Sequence, residues 1–299
     1  MKTAWVFPGQ GSQAIGMGMD LLALPAAREK FEWASDVLGW SIVDVCKGPE
    51  DRLANTLYTQ PCLYLVESIL ADLAMAQGYI PDVVAGHSLG EYVAFYVAGV
   101  FSFEAGLRLV KRRSELMDIA AGGKMVALVG FDREQLEATI QQTEGVILAN
   151  DNSPNQVVIS GTVEAVDAVA AKVKAKRAVP LNVSGAFHSP MMAAASQEFK
   201  LVLDLVGFHQ AKIPVLSNVE PEPTLDVNVL RERLNQQMTG PVRWREIALR
   251  LPTEGIEKLV EVGPGKVLTG LVKRTCPDLV LENISSLEDI NTKLVKLGT

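Results

Sequence analysis

The segment DVVAGHSLGEYVAF, residues 82–95, constrains the fold of this chain more than any other part of the sequence. The apolar run at 83–85 predicts a short buried strand, and the apolar residues after Gly90 predict a helix. Between them lies a G-x-S-x-G pattern centred on Ser88. A strand, a tight turn and a helix expose a serine at a helix N-terminus, where the helix dipole favours developing negative charge. Ser88 is therefore a candidate nucleophile, and the alternative is that these small residues only form a turn.

Apolar runs alternate with helical patterns along most of the chain. This alternation is typical of a parallel α/β sheet that is covered by helices on both faces. The predicted strands of this sheet are residues 3–7, 82–85, 214–219 and 258–262. With 299 residues, of which 48% are hydrophobic, the chain suits one large domain or a domain with an insertion.

The middle of the chain follows a different pattern. Strands are predicted at residues 125–130, 146–150, 156–161 and 178–183, and helices at 133–142 and 163–174. The order β-α-β-β-α-β is that of a ferredoxin-like subdomain. We therefore predict an α/β core with a parallel sheet, formed by residues 1–123 and 188–299, and a ferredoxin-like subdomain inserted at 124–187. A cleft between two such units is a common place for a substrate.

Composition and charge argue against several classes of protein. The three cysteines, Cys46, Cys62 and Cys276, are scattered, so we expect no disulfide framework, no metal site and a reducing, cytoplasmic location. The first residues form too short an apolar run for a signal peptide, and we expect no membrane span because no uncharged apolar run reaches about 18 residues. The net charge of −7 argues against nucleic-acid binding, which normally requires a basic face.

A serine nucleophile needs a general base, and this chain has three histidines. His87 adjoins Ser88, so its side chain is expected to point away from the serine and to shape the turn. His209 precedes a predicted strand and is expected to be a surface or packing residue. His188, which follows the last strand of the insertion, is therefore the candidate base. No acidic residue between Ser88 and His188 stands out as a third member, and a backbone carbonyl can orient the imidazole instead.

Two backbone segments are candidates for stabilising an oxyanion. The N–H of Leu89 directly follows the candidate nucleophile, and a glycine-rich loop at residues 7–18 follows the first strand. Gly9, Gly11 and Ala14 also match the permissive form of a dinucleotide-binding fingerprint. That fingerprint requires a second strand that ends in an acid about 20 residues further on, and this chain has a helical pattern there. The loop is therefore expected to provide N–H groups to an oxyanion.

Residues 103–120 form a strong helical pattern that carries an arginine on its apolar face. At about 100° per residue, Arg113 falls in the middle of that face, beside Leu116 and Met117. Because an unpaired buried guanidinium is very costly, Arg113 is expected to meet an anion. The anion is either a buried Asp or Glu, or a substrate carboxylate held by the planar fork of donors.

Eight short motifs follow one another along nearly the whole chain. They are GQGSQ (9–13), TQP (59–61), GHSLGEY (86–92), KRRSELM (111–117), NSPNQVVISG (152–161), GAFHSPMM (185–192), PVRW (241–244) and VEVGPGKVLTGL (260–271). Each motif is weak alone, but in this order the set resembles the malonyl-CoA:acyl carrier protein transacylase family.

The resemblance implies a hydrolase-like α/β core with a ferredoxin-like insertion. It also implies transfer of a malonyl group from malonyl-CoA to the phosphopantetheine thiol of acyl carrier protein, through a malonyl-serine ester and without a metal or other cofactor. The implied roles are Ser88 as nucleophile, His188 as base, Gln10 and Leu89 as oxyanion-hole residues, Arg113, Phe187 and Gln60 as substrate-binding residues, and Gln237 as the residue whose backbone carbonyl orients the histidine.

Recognition of an acidic carrier by an acidic chain requires a local basic patch. One candidate is the 172–177 patch, formed by Lys172, Lys174, Lys176 and Arg177. The other is the 266–274 patch, formed by Lys266, Lys273 and Arg274. Either set can instead be an ordinary solvated face. We expect the protein to be a monomer.

Two other functions remain open at this point. A serine esterase or thioesterase on a similar core would release the acyl group to water. A non-catalytic carrier-docking module of a larger synthase would bind the carrier alone, but it would have no use for the combination of Ser88, His188 and Arg113.

Overall fold

The computed structural model of the chain describes residues 1–120 and 122–294, within which nine strands and thirteen α-helices are found. The strands are β1 Thr3–Phe7, β2 Val83–Gly86, β3 Lys124–Phe131, β4 Val146–Ser153, β5 Gln156–Gly161, β6 Ala175–Pro180, β7 Val215–Leu216, β8 Lys258–Val262 and β9 Val280–Ile284. The helices are α1 Pro25–Leu38, α2 Ile42–Lys47, α3 Glu50–Ala54, α4 Thr56–Ala76, α5 Gly90–Val97, α6 Phe103–Ile119, α7 Arg133–Gln141, α8 Val163–Lys172, α9 Ala193–Leu203, α10 Val227–Gln236, α11 Trp244–Thr253, α12 Val267–Thr275 and α13 Leu287–Asp289.

Five strands form a parallel sheet in the order β7-β2-β1-β8-β9. In the central strand β1, Trp5 and Phe7 belong to the core on one face, and Ala4 and Val6 belong to the core on the other. Burial on both faces explains why this strand is apolar without alternation. Phe7 pairs with Gly86, so β1 and β2 end at the same edge of the sheet. The predicted parallel α/β core is confirmed.

The other four strands form a separate antiparallel sheet in the order β4-β5-β3-β6. Alternate residues of β3 point to opposite faces. Val126 and Leu128 share a small core with residues of α7 and α8, whereas Met125 and Ala127 pack in the main core. Strands and helices follow one another as β-α-β-β-α-β, which confirms the predicted ferredoxin-like arrangement.

Three strands differ most from the sequence prediction, and one of them, β7, spans only Val215–Leu216 of the predicted 214–219. The edge strand β9 was not predicted, because only Ile284 in it is fully buried and its apolar pattern is correspondingly weak. Strand β6 ends at Pro180, whereas residues 178–183 were predicted. The prediction was displaced because β6 is an exposed edge strand, while the apolar Leu181 and Val183 beyond it line a pocket.

The antiparallel sheet is joined to the core through β4. The Asp151 N–H donates to the Val242 carbonyl oxygen at 2.9 Å, and the Val242 N–H donates to the Ala149 carbonyl oxygen at 2.8 Å. The buried Asp151 carboxylate pairs with Arg133 of α7 at 2.9 Å and with Arg245 of α11 at 2.9 Å. The Asp151 carboxylate therefore connects α7, which packs on the antiparallel sheet, to α11, which packs on the parallel sheet.

Candidate active site

Ser88 lies in the tight turn between β2, which ends at Gly86, and α5, which begins at Gly90. Its φ of 53° is in the left-handed region that residues other than glycine rarely adopt, as expected for a turn that exposes a nucleophile. A Cβ on Gly86 would lie 1.9 Å from the carbonyl carbon of Gly90, and a Cβ on Gly90 would lie 2.0 Å from the carbonyl oxygen of Phe7. Close packing of the strand and helix therefore requires glycine at both positions.

The His188 side chain contacts Ser88, with 2.8 Å between His188 Nε2 and Ser88 Oγ. His188 Nδ1 faces the carbonyl oxygens of Gln237 at 3.0 Å and Gly240 at 3.2 Å. Because carbonyl oxygens only accept, Nδ1 carries the proton, and Nε2 is left to accept from the Ser88 hydroxyl. Burial, and then the charge of Arg113, lowers the pKa of His188 to about 3, so the imidazole is neutral at pH 7. In this tautomer it can act as a general base.

No hydrogen bond among the described residues joins the side chain of His87 or His209 to Ser88. His87 Nε2 lies 2.8 Å from Asn152 Oδ1, and since Asn152 belongs to β4, His87 links the nucleophile turn to the antiparallel sheet. His209 is exposed, and its backbone N–H donates to the Val100 carbonyl oxygen at 2.8 Å. The placement of His209 agrees with the expectation from the sequence, whereas His87 bonds to Asn152 and lines the same cavity as Ser88.

Arg113 is almost fully buried, with 1% of its surface exposed, and its guanidinium lies beside the nucleophile. Its Nη2 donates to Ser88 Oγ at 3.0 Å and to Gln237 Oε1 at 3.1 Å, and its Nη1 donates to Gln60 Oε1 at 2.7 Å. Its Nε–H is buried and donates to no described residue. Within the described ranges, no carboxylate lies within 4.0 Å of the guanidinium. A directly paired buried acid, one of the two anions considered for Arg113, is therefore absent from this part of the chain.

Gln237 connects the reacting side chains to one another. Its backbone carbonyl accepts from His188, and its side-chain oxygen accepts from Arg113. Its Nε2 donates to the Ser88 carbonyl oxygen at 2.7 Å and to Glu91 Oε2 at 2.7 Å. The residue that was expected to orient His188 through its backbone carbonyl thus also contributes its side chain, and Gln237 is fully buried.

Asn218 supports the nucleophile turn and was missed by the sequence analysis. Its Oδ1 accepts from the Ser88 N–H at 2.7 Å, and its Nδ2 donates to the Gly86 carbonyl oxygen at 2.5 Å. The strand predicted at 214–219 included Asn218, but β7 ends at Leu216. A polar residue after a strand that neighbours β2 was the available signal, because parallel strands end at a common edge.

A cavity of about 80 Å³ opens onto these groups. It is lined by seven of the eight predicted site residues, namely Gln10, Gln60, Ser88, Leu89, Arg113, Phe187 and His188, and by His87, Met117, Met125, Asn150, Leu181 and Val183. The eighth, Gln237, contacts Arg113 and His188 from behind. The structure therefore brings all eight predicted residues to one place.

The backbone N–H groups of Gln10 and Leu89 lie on two loops that pack directly against each other. A Cβ on Gly9 would lie 2.5 Å from the carbonyl oxygen of His87, so the loop after β1 and the nucleophile turn are in backbone contact. Neither N–H donates to another described residue. Both residues line the cavity, so their N–H groups remain the candidates for stabilising an oxyanion.

The loop after β1 is not of the dinucleotide-binding type. That fingerprint needs an α-helix to open at the glycines. Here the chain continues in turns and a short 3-10 helix at Asp20–Ala23, and α1 begins only at Pro25. Across residues 1–120 and 122–294, no group of three or more His, Cys, Asp or Glu side chains is arranged to hold a metal ion. None of the helices given above is both long enough and apolar enough to cross a bilayer.

Comparison with known proteins agrees with this geometry. Residues 4–292 match the family model of the acyl transferase domain. The chain is 60% identical to the malonyl CoA-acyl carrier protein transacylase of Synechocystis sp. PCC 6803, over 98% of this chain and 100% of that protein. It is 39% identical to the protein of the same name from Bacillus subtilis, over 99% of this chain and 97% of that protein.

Solved structures give the same result. The crystal structure of the Synechocystis enzyme matches with a TM-score of 0.96, covering 98% of this chain and 100% of the other. A malonyl-transacylase in complex with AntF, a type II polyketide acyl-carrier protein, matches with a TM-score of 0.93 at 38% identity, covering 99% of this chain and 100% of the other. The chain therefore belongs to the malonyl CoA-acyl carrier protein transacylase family of acyl transferases.

Proposed function

We propose that this protein transfers a malonyl group from malonyl-CoA to the phosphopantetheine thiol of acyl carrier protein, through an ester on Ser88. The observation that carries the proposal is the position of Arg113. Its buried guanidinium lies 3.0 Å from the nucleophile oxygen, without a carboxylate partner in the described residues and with an unused Nε–H. A substrate that brings its own carboxylate next to the reacting carbonyl fits this arrangement.

In the first half-reaction, His188 Nε2 accepts the proton of the Ser88 hydroxyl as Oγ attacks the thioester carbonyl carbon. The N–H groups of Gln10 and Leu89 stabilise the oxyanion of the tetrahedral intermediate. The C–S bond then breaks, and the imidazolium returns its proton to the CoA thiolate. The malonyl group is left as an ester on Ser88, and CoA leaves as its thiol.

In the second half-reaction, His188 Nε2 accepts the proton of the carrier thiol, and the sulfur attacks the ester carbonyl. The same two N–H groups stabilise the second oxyanion. When the C–O bond breaks, the imidazolium protonates Ser88 Oγ. Atoms and charge balance in both halves without a redox step or a Lewis acid, so no cofactor is required.

Selection for malonyl is assigned to the groups around the guanidinium. Arg113 binds the free carboxylate, while Gln60 fixes the guanidinium through Nη1 at 2.7 Å. Phe187, which is buried and lines the cavity, packs against the acyl group. The short malonyl chain suits the small volume of about 80 Å³. All of these groups belong to one chain, as a monomeric enzyme requires.

The carrier is assigned to the 172–177 patch. Its four basic residues are exposed, and β6 leads directly into the segment whose Leu181 and Val183 line the cavity. Neither patch itself lines the cavity, and the 266–274 patch, which is also exposed, is not followed directly in the chain by residues that do. In the same proposal, residues 124–187 form the inserted subdomain, which is supported by the separate core under α7 and α8. The three unpaired, buried cysteines are consistent with a cytoplasmic location.

Incubation with labelled malonyl-CoA tests the proposal. The wild type should form a stable malonyl-protein, and addition of carrier protein should move the label to the carrier thiol. The Ser88→Ala variant should not be labelled, because the only proposed acyl acceptor is removed. Release of the label as free malonate would favour a thioesterase, and an unlabelled wild type would favour a docking module. Normal labelling of the Ser88→Ala variant would contradict the assigned nucleophile.

A further inference from the structure

Glu91 is a fully buried acidic residue in the first turn of α5. Its Oε2 accepts from Gln237 Nε2 at 2.7 Å, and its Oε1 accepts from the Asn218 backbone N–H at 3.3 Å. Both neighbours are donors, and a helix N-terminus favours negative charge, so the surroundings suit a carboxylate. Burial raises the pKa of Glu91 to about 7, while the hydrogen bonds from Gln237 and Asn218 favour the ionised form.

The two partners of Glu91 are the residues that hold the reacting groups in place. Gln237 accepts from His188 with its backbone carbonyl and from Arg113 with its side chain. Asn218 accepts from the Ser88 N–H. Ser88, through its backbone, and the side chains of His188 and Arg113 are thus each separated from the Glu91 carboxylate by a single residue.

Glu91 is one of two acceptors that hold the NH₂ end of the Gln237 amide, the other being the Ser88 carbonyl oxygen. The oxygen of an amide accepts hydrogen bonds and its NH₂ group donates them, so Arg113, which only donates, requires the oxygen. Because the Glu91 carboxylate only accepts when ionised, it attracts the NH₂ end and turns the oxygen towards Arg113 Nη2. When Glu91 is ionised, the amide therefore bridges a buried carboxylate and the buried guanidinium, which then have opposite charges.

We propose that Glu91 is a positioning residue of the transfer reaction, which fixes Gln237 so that its carbonyl orients His188 and its amide oxygen aligns Arg113. The inference rests on the proposed function, since its effect is on acylation of Ser88. In this proposal Glu91 is the acidic residue that supports the Ser88–His188 pair. That acid acts on the histidine through Gln237, not by direct contact.

Glu67 provides a matched control for the burial of an acid. It is also fully buried, in α4, but neither carboxyl oxygen has a hydrogen-bond partner among the described residues. Burial, and then the nearby Glu261, raises the pKa of Glu67. The Glu67→Gln variant thus changes a buried carboxyl group without removing a contact to Gln237.

The experiment is a double-mutant cycle on the rate of Ser88 acylation at saturating malonyl-CoA. In Glu91→Gln the amide oxygen can accept from only one of the two donors and the NH₂ group must face the other, so acylation should slow by about tenfold or more, with KM changed by less than about threefold. Gln237→Ala should slow acylation to a similar or greater extent. If Glu91 acts through Gln237, the double variant should be no slower than Gln237→Ala alone. Glu67→Gln should remain within about threefold of the wild type.

Two outcomes would overturn the inference. One is a Glu91→Gln variant that acylates within about twofold of the wild type. The other is a double variant in which the two losses multiply, because independent effects indicate separate structural roles. Either outcome, with a wild type that forms the malonyl ester, leaves the proposed function standing. If the wild type forms no ester, the proposed function itself fails.

Discussion

Replacement of Arg113 by alanine separates a substrate-binding role from a structural one. The change removes the donors to Ser88 Oγ, Gln60 Oε1 and Gln237 Oε1. A malonyl carboxylate would lose a two-point, charge-assisted contact, and each such hydrogen bond contributes about 1.5–3 kcal/mol. Malonyl acylation of Ser88 should therefore slow by about 10²–10⁴-fold. Acetyl acylation should be kept or should rise, because an acetyl group has no carboxylate that is left unpaired.

The fold should lose less stability than when a buried ion pair is broken. No described carboxylate lies within 4.0 Å of Arg113, so its removal leaves two amide oxygens without a donor but no directly paired charge. We expect a loss of about 1–3 kcal/mol in the free energy of unfolding, against about 3–5 kcal/mol for a buried ion pair. Arg113→Lys should recover only part of the malonyl activity, since an ammonium cannot form the planar fork.

The assay measures melting temperature together with malonyl and acetyl acylation rates. The neighbouring Arg112 is a matched control, because its side chain is 35% exposed and pairs with Glu115 and Glu198 on the surface. Arg112→Ala should leave both rates within about twofold of the wild type. A large fall in the melting temperature of Arg113→Ala, with both activities lost in parallel, would refute the reasoning and make Arg113 a structural residue.

Two further predictions concern pH and carrier docking. The pKa of His188 is lowered from 6.5 to about 3 on folding. Between these two values, the imidazole is protonated in the unfolded chain and neutral in the folded chain. When the pH is lowered from 7.5 to 4.5, the wild type should lose about 2–3 kcal/mol more unfolding free energy than the His188→Gln variant, as measured by denaturant titration. If the unfolding free energies of the two proteins depend on pH equally, the lowered pKa of His188 is contradicted. Charge reversal at Lys174 and Arg177 should raise KM for the carrier and leave acylation by malonyl-CoA unchanged, whereas the same change at Lys273 and Arg274 should affect neither. Equal loss in both half-reactions would indicate misfolding instead.

The sequence predicts most of the well-buried strands best, although the buried β7 is four residues shorter than the predicted 214–219. β1 and β8 were predicted with their observed bounds, because both are buried over nearly their whole length. β9 was missed, and β6 was displaced, because a half-exposed edge strand lacks a strong apolar pattern. Leu181 and Val183 are apolar because they line a cavity, which periodicity alone cannot distinguish from a strand.

The residues of the candidate site also divide into those that the sequence predicted and those that it missed. Ser88, His188 and Arg113 were singled out from local pattern, because a serine in a glycine turn, a scarce histidine and an arginine on an apolar face are each unusual where they occur. Glu91 and Asn218 were not, since their importance comes from hydrogen bonds between segments far apart in the chain. Such contacts are set by the fold and leave no periodicity in the sequence.

The joining of β4 to the core limits how this protein can be recombined with its relatives. Asp151 pairs with Arg245 across the two units, its N–H bonds to Val242, and Asn152 bonds to His87 beside the nucleophile. A chimera that received the antiparallel sheet from a donor with another acyl preference would have to match these core partners. The antiparallel sheet is therefore not an interchangeable module by itself, and the smallest unit that can be grafted also includes the donor's counterpart of the segment that holds Val242 and Arg245.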